Sequence, residues 1–149
     1  MRLAGAHAAF SAERTMSVAI TTTGIHHLTL RSSDLARSRR FYIEMLGFPL
    51  ALEGPNIFLF LVGDTAVEVR GPESLTPASD VFNPFRAGLD RIAMACTDER
   101  ELARVVAAMS RAAIAHTGIR TDLALDRKYV TFEDPDRIGW ELGCAPDQH

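Results

Sequence analysis

The strongest constraint on this chain is that it repeats itself. The segment from Gly24 to Asp34, GIHHLTLRSSD, lies over GLDRIAMACTD, Gly88 to Asp98, at a constant offset of 64 residues. Each copy opens on glycine and an aliphatic residue, alternates as a strand does, and closes on a small residue followed by aspartate. Self-similarity at a fixed offset predicts one supersecondary unit used twice.

After each aspartate the spacing becomes helical. Asp34 is an N-cap, Leu35, Phe41, Tyr42, Met45 and Leu46 fall largely on one face, and Gly47 is the stop. In the second copy Asp98 caps, Glu101 completes the spacing of a capping box, and Leu102, Val105, Val106, Met109 and Ala113 keep the helical period. The period then drops to that of strands. The first half predicts Phe48–Glu53, Asn56–Val62 and Thr65–Arg70, divided by Gly54-Pro55 and Gly63-Asp64 turns. The second predicts a short strand over Ile114–Thr117, then Lys128–Glu133, an Asp134-Pro135-Asp136 turn, and Ile138–Gly143. The expectation is an α+β chain of two tandem βαβββ modules, residues 24–72 and 88–144, joined by a linker at 73–87. Neither module is long enough to bury a core alone, so 24–144 is expected to pack as a single domain.

Composition narrows the partner. The chain has 149 residues, 47% hydrophobic and 23% charged, with a formal net charge of -3. That is globular composition without the basic face that nucleic acid or an anionic membrane requires. The longest wholly apolar run, Ile57 to Val62, is too short to span a bilayer. Cys96 and Cys144 stand in no zinc or CxxC spacing and read as two reduced thiols of a cytoplasmic protein. Residues 1–23 lack a period and an uninterrupted apolar stretch. They read as a flexible leader with Met16 as an alternative start, and 145–149 as a short tail.

Strand alternation locates the chemistry. Leu28 and Leu30 must face the helix, so His27, Thr29 and Arg31 face away, while His26 points with the leucines. By the same rule Glu68 stands opposite Val67 and Val69, Arg91 opposite Ile92 and Met94, and Glu141 opposite Trp140 and Leu142. Tyr129 and Thr131 share that outer face. Four ionisable residues, His27, Glu68, Arg91 and Glu141, therefore mark one wall. His116 reads as a surface polar residue, Arg37, Arg39 and Arg40 as a solvated helix face, and Phe58 to Leu61 as a strand covered on both sides.

The opening GIHHLTLRSSDLARSRRFYIEMLGF and the closing KYVTFEDPDRIGWELG together resemble the vicinal oxygen chelate superfamily, over Gly24 to Gly143. That group includes glyoxalase I, extradiol dioxygenases, bleomycin- and fosfomycin-resistance proteins and methylmalonyl-CoA epimerase. The resemblance implies an eight-stranded, partly open barrel-like sheet with a concave cleft, and a homodimer. It also implies a divalent metal (Mn, Ni, Zn, Fe or Mg) and no organic cofactor, with ligands at His27, Glu68, position 91 and Glu141. Position 91 is Arg where metal-dependent members carry His, and a guanidinium has no lone pair to give. Extradiol dioxygenation needs that second His.

Two readings stay open. In one, His27, Glu68 and Glu141 hold the metal for a lyase or isomerase that stabilises an enolate of a small oxygen-rich substrate. Glu141 or Glu68 then moves the proton, while Arg91, Thr29 and Tyr129 bind the substrate. In the other, Arg91 replaces the metal as the cation beside the carboxylates, and the chain is a metal-free binder, of the bleomycin-resistance type, for a small aromatic or cationic compound with Glu68 and Glu141 as counter-charges.

Overall fold

The two predicted N-caps are where each module turns from strand to helix. Asp34 accepts the Arg37 amide at 3.0 Å and Asp98 the Glu101 amide at 2.8 Å. In the computed structural model, which describes residues 16–145, they start the two helices of the fold. The box at Asp98 is half made. The Glu101 carboxylate turns to Arg104 instead, at 2.6 and 2.7 Å. Most of the expected leader, residues 1–15, and 146–149 of the tail lie outside the described residues; 16–26 hold no helix or strand.

Module one runs β1 (His27–Arg31), α1 (Leu35–Arg39), a π-helical turn (Arg40–Met45), β2 (Leu50–Gly54), β3 (Ile57–Val62) and β4 (Thr65–Arg70). Module two runs β5 (Arg91–Cys96), α2 (Glu99–Arg111), β6 (Arg120–Asp122), β7 (Arg127–Glu133) and β8 (Gly139–Cys144). The strand orders are the same twice, β1-β4-β3-β2 and β5-β8-β7-β6, with the first pair parallel and the others antiparallel. The result is two four-stranded sheets that do not close into a barrel.

Three expectations change. The first helix is not uniform: it widens into a π turn, which lets the consecutive residues Phe41 and Tyr42 both enter the core. The strand expected over Ile114–Thr117 is a single bridge, His116 to Phe132, and the pairing strand is β6 further on. Gly118, at φ +71, breaks the run, and Asp122 closes the hairpin by accepting the amides of Ala124 and Leu125. His26 does not sit opposite His27. β1 begins at His27, so alternation does not reach residue 26, and the two Nδ1 atoms lie 2.8 Å apart.

The core binds the modules to each other. The Tyr42 ring stacks on Phe60 at 4.7 Å and meets Trp140 edge-on at 5.7 Å. Its hydroxyl donates to Asp134 Oδ2 at 2.7 Å and accepts from Trp140 Nε1 at 2.9 Å. Asp134 Oδ1 accepts the amides of Asp136 and Ile138 at 2.8 Å each. Asp136 in turn accepts from Ser33 and from Arg37, the latter at 3.1 Å. Burial, with Asp134 beside it, pushes the Tyr42 phenol far above its ordinary range; burial also raises the Asp134 carboxyl.

Tyr42→Phe keeps the ring and orphans Trp140 Nε1 and Asp134 Oδ2, so unfolding in urea should show a loss of about 1–3 kcal/mol. An unchanged midpoint would mean that water replaces the hydroxyl. The raised Asp134 pKa fixes a sign. Between the ordinary carboxylate range and the raised value, the folded chain holds a proton that the unfolded chain has released. Asp134 therefore favours the fold at low pH, and that contribution disappears as pH rises through its folded pKa. Asp134→Asn should flatten this part of the stability–pH curve; an identical slope would move the titration to another group.

Candidate functional site

On β8 the residues Gly139, Glu141 and Gly143 share the face away from α2, while Trp140 and Leu142 belong to the core side. Glu141 is 1% exposed. A buried carboxylate needs a cation, and two reach it from the strands on either side. Arg91, opening β5, donates from Nε to Oε2 at 2.8 Å. Arg127, opening β7, places Nη2 2.6 Å from Oε1. This second contact has the distance of an ion pair without hydrogen-bond alignment, so Oε1 and Arg127 Nε keep a charge partner and lack a hydrogen bond. Arg127 also lies 3.8 Å from Asp122 and over the Tyr129 ring, 5.8 Å from its centre.

The flanking glycines make the room. A Cβ at position 143 would stand 2.7 Å from Arg127 Nη1, and one at 139 would stand 3.2 Å from Arg91 Cβ. Gly-Trp-Glu-Leu-Gly is thus a strand left bare on both sides of one acid, across which two guanidiniums lie. Arg127 stands one residue before Lys128, where the sequence pattern starts this strand, and so falls outside the predicted wall. The signal that would include it is its alternation with Tyr129 and Thr131, two and four residues on.

The remaining predicted residues are on the first sheet. Glu68, opposite Thr29 on β1 and Leu59 on β3, is paired with Arg70 of its own strand. His27 is exposed, against His26. Thr29 lines a cavity of 270 Å³ with Arg31, Asp80 and Asp136. The structure therefore brings Arg91, Glu141 and Tyr129 onto one sheet and leaves His27, Thr29 and Glu68 on the other. Among the described residues no three His, Cys, Asp or Glu side chains are grouped to hold a metal ion. The donors do not fit one: Glu141, the ligand common to any such set, already has a guanidinium against each of its oxygens.

Arg91, Thr131 and Gly139 form part of the wall of a larger cavity of 600 Å³, floored by Phe41, Ile114 and Phe132. His116 is at its edge, with Nε2 2.7 Å from Ser110 Oγ. This is not an activated serine. His116 Nδ1 accepts the Gly118 amide at 2.9 Å, which puts the ring proton on Nε2 and makes the hydroxyl its acceptor.

Gly143→Ala should act through Arg127, whose flexible end must move. We expect a loss of about 1–3 kcal/mol as Glu141 gives up one partner. In a double-mutant cycle with Arg127→Met the second change should add little. Full additivity would show that the glycine serves the backbone and not the guanidinium.

A family model described as the glyoxalase/bleomycin resistance protein/dioxygenase superfamily matches residues 24–142. An uncharacterized protein of Bacillus subtilis (strain 168), YwkD, is 29% identical over 126 residues, spanning 79% of this chain and 94% of its own length. Among solved structures, a glyoxylase/bleomycin resistance protein/dioxygenase domain from Frankia sp. EAN1pec has a TM-score of 0.71 at 23% identity, over 84% of this chain and 99% of that one. The lactoylglutathione lyase of Agrobacterium tumefaciens gives 0.66 at 20% identity, over 83% and 94%. At such identities the likeness of these two structures is one of fold.

Proposed function

The chain belongs to the glyoxalase/bleomycin resistance protein/dioxygenase superfamily, and within it we propose a metal-independent binding protein for a small anionic molecule. Residues 24–144 act as one unit, and the partner is a small molecule, not nucleic acid or a membrane. The observation that carries the reading is Arg91. It stands where metal-dependent relatives are expected to carry a histidine, pairs with buried Glu141 through Nε, and borders the 600 Å³ cavity. A cavity of this size falls in the range of small-ligand sites.

Arg91 is half-exposed, its side chain 48% accessible; Glu141 holds Nε and exposed Asp90 accepts from Nη1 at 3.3 Å, so a ligand carboxylate would take Nη2 and displace the Asp90 contact. Phe41, Ile114 and Phe132 offer the apolar body of the ligand a surface. A cationic ligand finds less: of the carboxylates lining the cavity, Asp90 is paired with Arg91 and Glu133 with Arg137, while Glu68 is paired with Arg70 and Glu141 with two arginines. The metal-assisted lyase or isomerase would need His27 and Glu68 brought to Glu141, and Glu141 freed from both guanidiniums. A homodimer would let the first sheet of one copy approach the second sheet of the other, and leaves the occupancy of Glu141 as it is. No helix among the described residues is long and apolar enough to cross a membrane; the proposed location is the cytoplasm.

The test is a metal assay with a ligand screen. Protein purified without chelator should carry no stoichiometric Mn, Ni, Zn or Fe and show no thermal shift when these are added. A panel of small aromatic and aliphatic carboxylates should raise its melting temperature, and Arg91→Ala should weaken the best of them tenfold or more, the equivalent of about 1.4 kcal/mol. Bound metal at one ion per chain, lost in His27→Ala, would replace this reading with the metal-assisted enzyme.

A further inference from the structure

The two cysteines, which the sequence separates by most of a module, are brought to the same rung. The parallel ladder between β5 and β8 runs in unbroken register from Arg91 opposite Gly139 to Cys96 opposite Cys144. Every partner in this ladder points to the same side as its opposite number, so Cys96 and Cys144 share the face of Ile92, Met94, Trp140 and Leu142. Paired residues on neighbouring strands stand about 4.8 Å apart, inside the roughly 4.4–6.8 Å of Cα separation that a disulfide spans. Each cysteine is also the last residue of its strand.

Their exposures differ in a way that divides the chemistry. Cys144 is 2% exposed, whereas Cys96 is half-buried and lines a cavity of 410 Å³ together with Thr97 and Arg104. A small oxidant reaches Cys96 first. Both thiols are reduced and both donate to backbone carbonyls, Cys96 to that of Asp98 at 3.3 Å and Cys144 to that of Lys128 at 3.7 Å. A thiol is a weak donor, so such contacts are readily given up.

We propose that Cys96 and Cys144 form a two-thiol oxidation site, with hydrogen peroxide as the oxidant. The Cys96 sulfur attacks the O–O bond, which breaks to leave a sulfenic acid on Cys96 and release water. The Cys144 sulfur then attacks the Cys96 sulfur, forming the S–S bond as the hydroxyl leaves with the thiol proton as a second water. Two thiols lose two electrons and one peroxide gains them. The disulfide fastens the edge strand β5 to β8 at the end opposite Arg91, and so clamps the two strands that hold Arg91 and Glu141 in register.

Hydrogen peroxide added in increments to the full-length protein, followed by intact mass and by thiol counts after denaturation, tests this. Both thiols should vanish together with a loss of about 2 Da, the product should remain a single chain on a non-reducing gel, and its melting temperature should rise and return on reduction. Cys144→Ser should leave a Cys96 sulfenic acid that dimedone labels, and Cys96→Ser should leave Cys144 unreacted in the folded protein. Stepwise gain of oxygen on the wild type, a disulfide between chains, or dimedone labelling equal in the wild type and Cys144→Ser would each overturn the proposal. The wild-type mass alone decides it if either variant fails to fold.

Discussion

The Tyr42 hydroxyl is the point on which the relation between the two modules depends. It belongs to the first module and finds both of its hydrogen-bond partners, Asp134 and Trp140, in the second. Neither sheet shares a ladder bond with the other, so the contact between modules is made by side chains and by the turns between strands. In that situation a buried hydroxyl contributes more to specificity than to adhesion. The stacked rings of Tyr42 and Phe60 would hold against Trp140 in several registers, but only one lets the hydroxyl accept the indole N–H while donating to a carboxylate. Asp134 is fixed in its own right, because its other oxygen takes two amides of the β7–β8 turn. The turn is thereby made rigid and aimed at module one by the same residue.

Much of this was legible in the sequence, and the reason is the repeat. The offset between Gly24 and Gly88 located both first strands, both caps and both helices, and pleat alternation then assigned the faces of His27, Glu68, Arg91 and Glu141. Those assignments come from local geometry and need no knowledge of how strands are ordered. What escaped depends on the order. Arg127 reaches Glu141 because β7 lies beside β8 and because position 143 has no side chain, and neither fact is local to Arg127. The shift from Ile114–Thr117 to β6 has the same origin: His116 is bridged to Phe132, but the hairpin is decided by the Asp122 turn, whose value appears only when β7 is in place. The π turn is a different case. The apolar spacing of Leu35 to Leu46 fits an ordinary helix, and the widening comes from the demand that Phe41 and Tyr42 both be buried.

The duplication also sets up a comparison within the chain. Glu68 faces Thr29 across the parallel pair β1–β4, and Glu141 faces Ala93 across β5–β8. Thr29 and Ala93 are related by the repeat offset, so the two glutamates are equivalent positions, as are His27 and Arg91. The two modules therefore pose one electrostatic problem twice, a carboxylate on the sheet face opposite the core valines or Trp140, and solve it differently. Two residues beyond Glu68 the strand carries Arg70, which neutralises the acid from its own strand and leaves its side chain 14% exposed. Two residues beyond Glu141 stands Gly143, so the cation must come from elsewhere, and the vacant space admits Arg127 from β7 while Arg91 arrives from β5.

The second solution has consequences that the first does not. A same-strand arginine stays near solvent and fixes nothing beyond its own strand. Two guanidiniums drawn in from neighbouring strands bury the acid to 1% and join β5, β7 and β8 through one carboxylate. Removing one cation leaves Glu141 a single partner, and removing both strands a buried charge, which is costly. The arrangement also explains why the wall of module two cannot be read as a ligand set with one residue exchanged. Replacing a histidine by Arg91 subtracts a lone pair and adds a positive charge, and that charge settles on the same carboxylate a metal would need. Glu141 then stabilises a cation that the protein makes itself, and the outward edge of Arg91 turns to Asp90 at the surface.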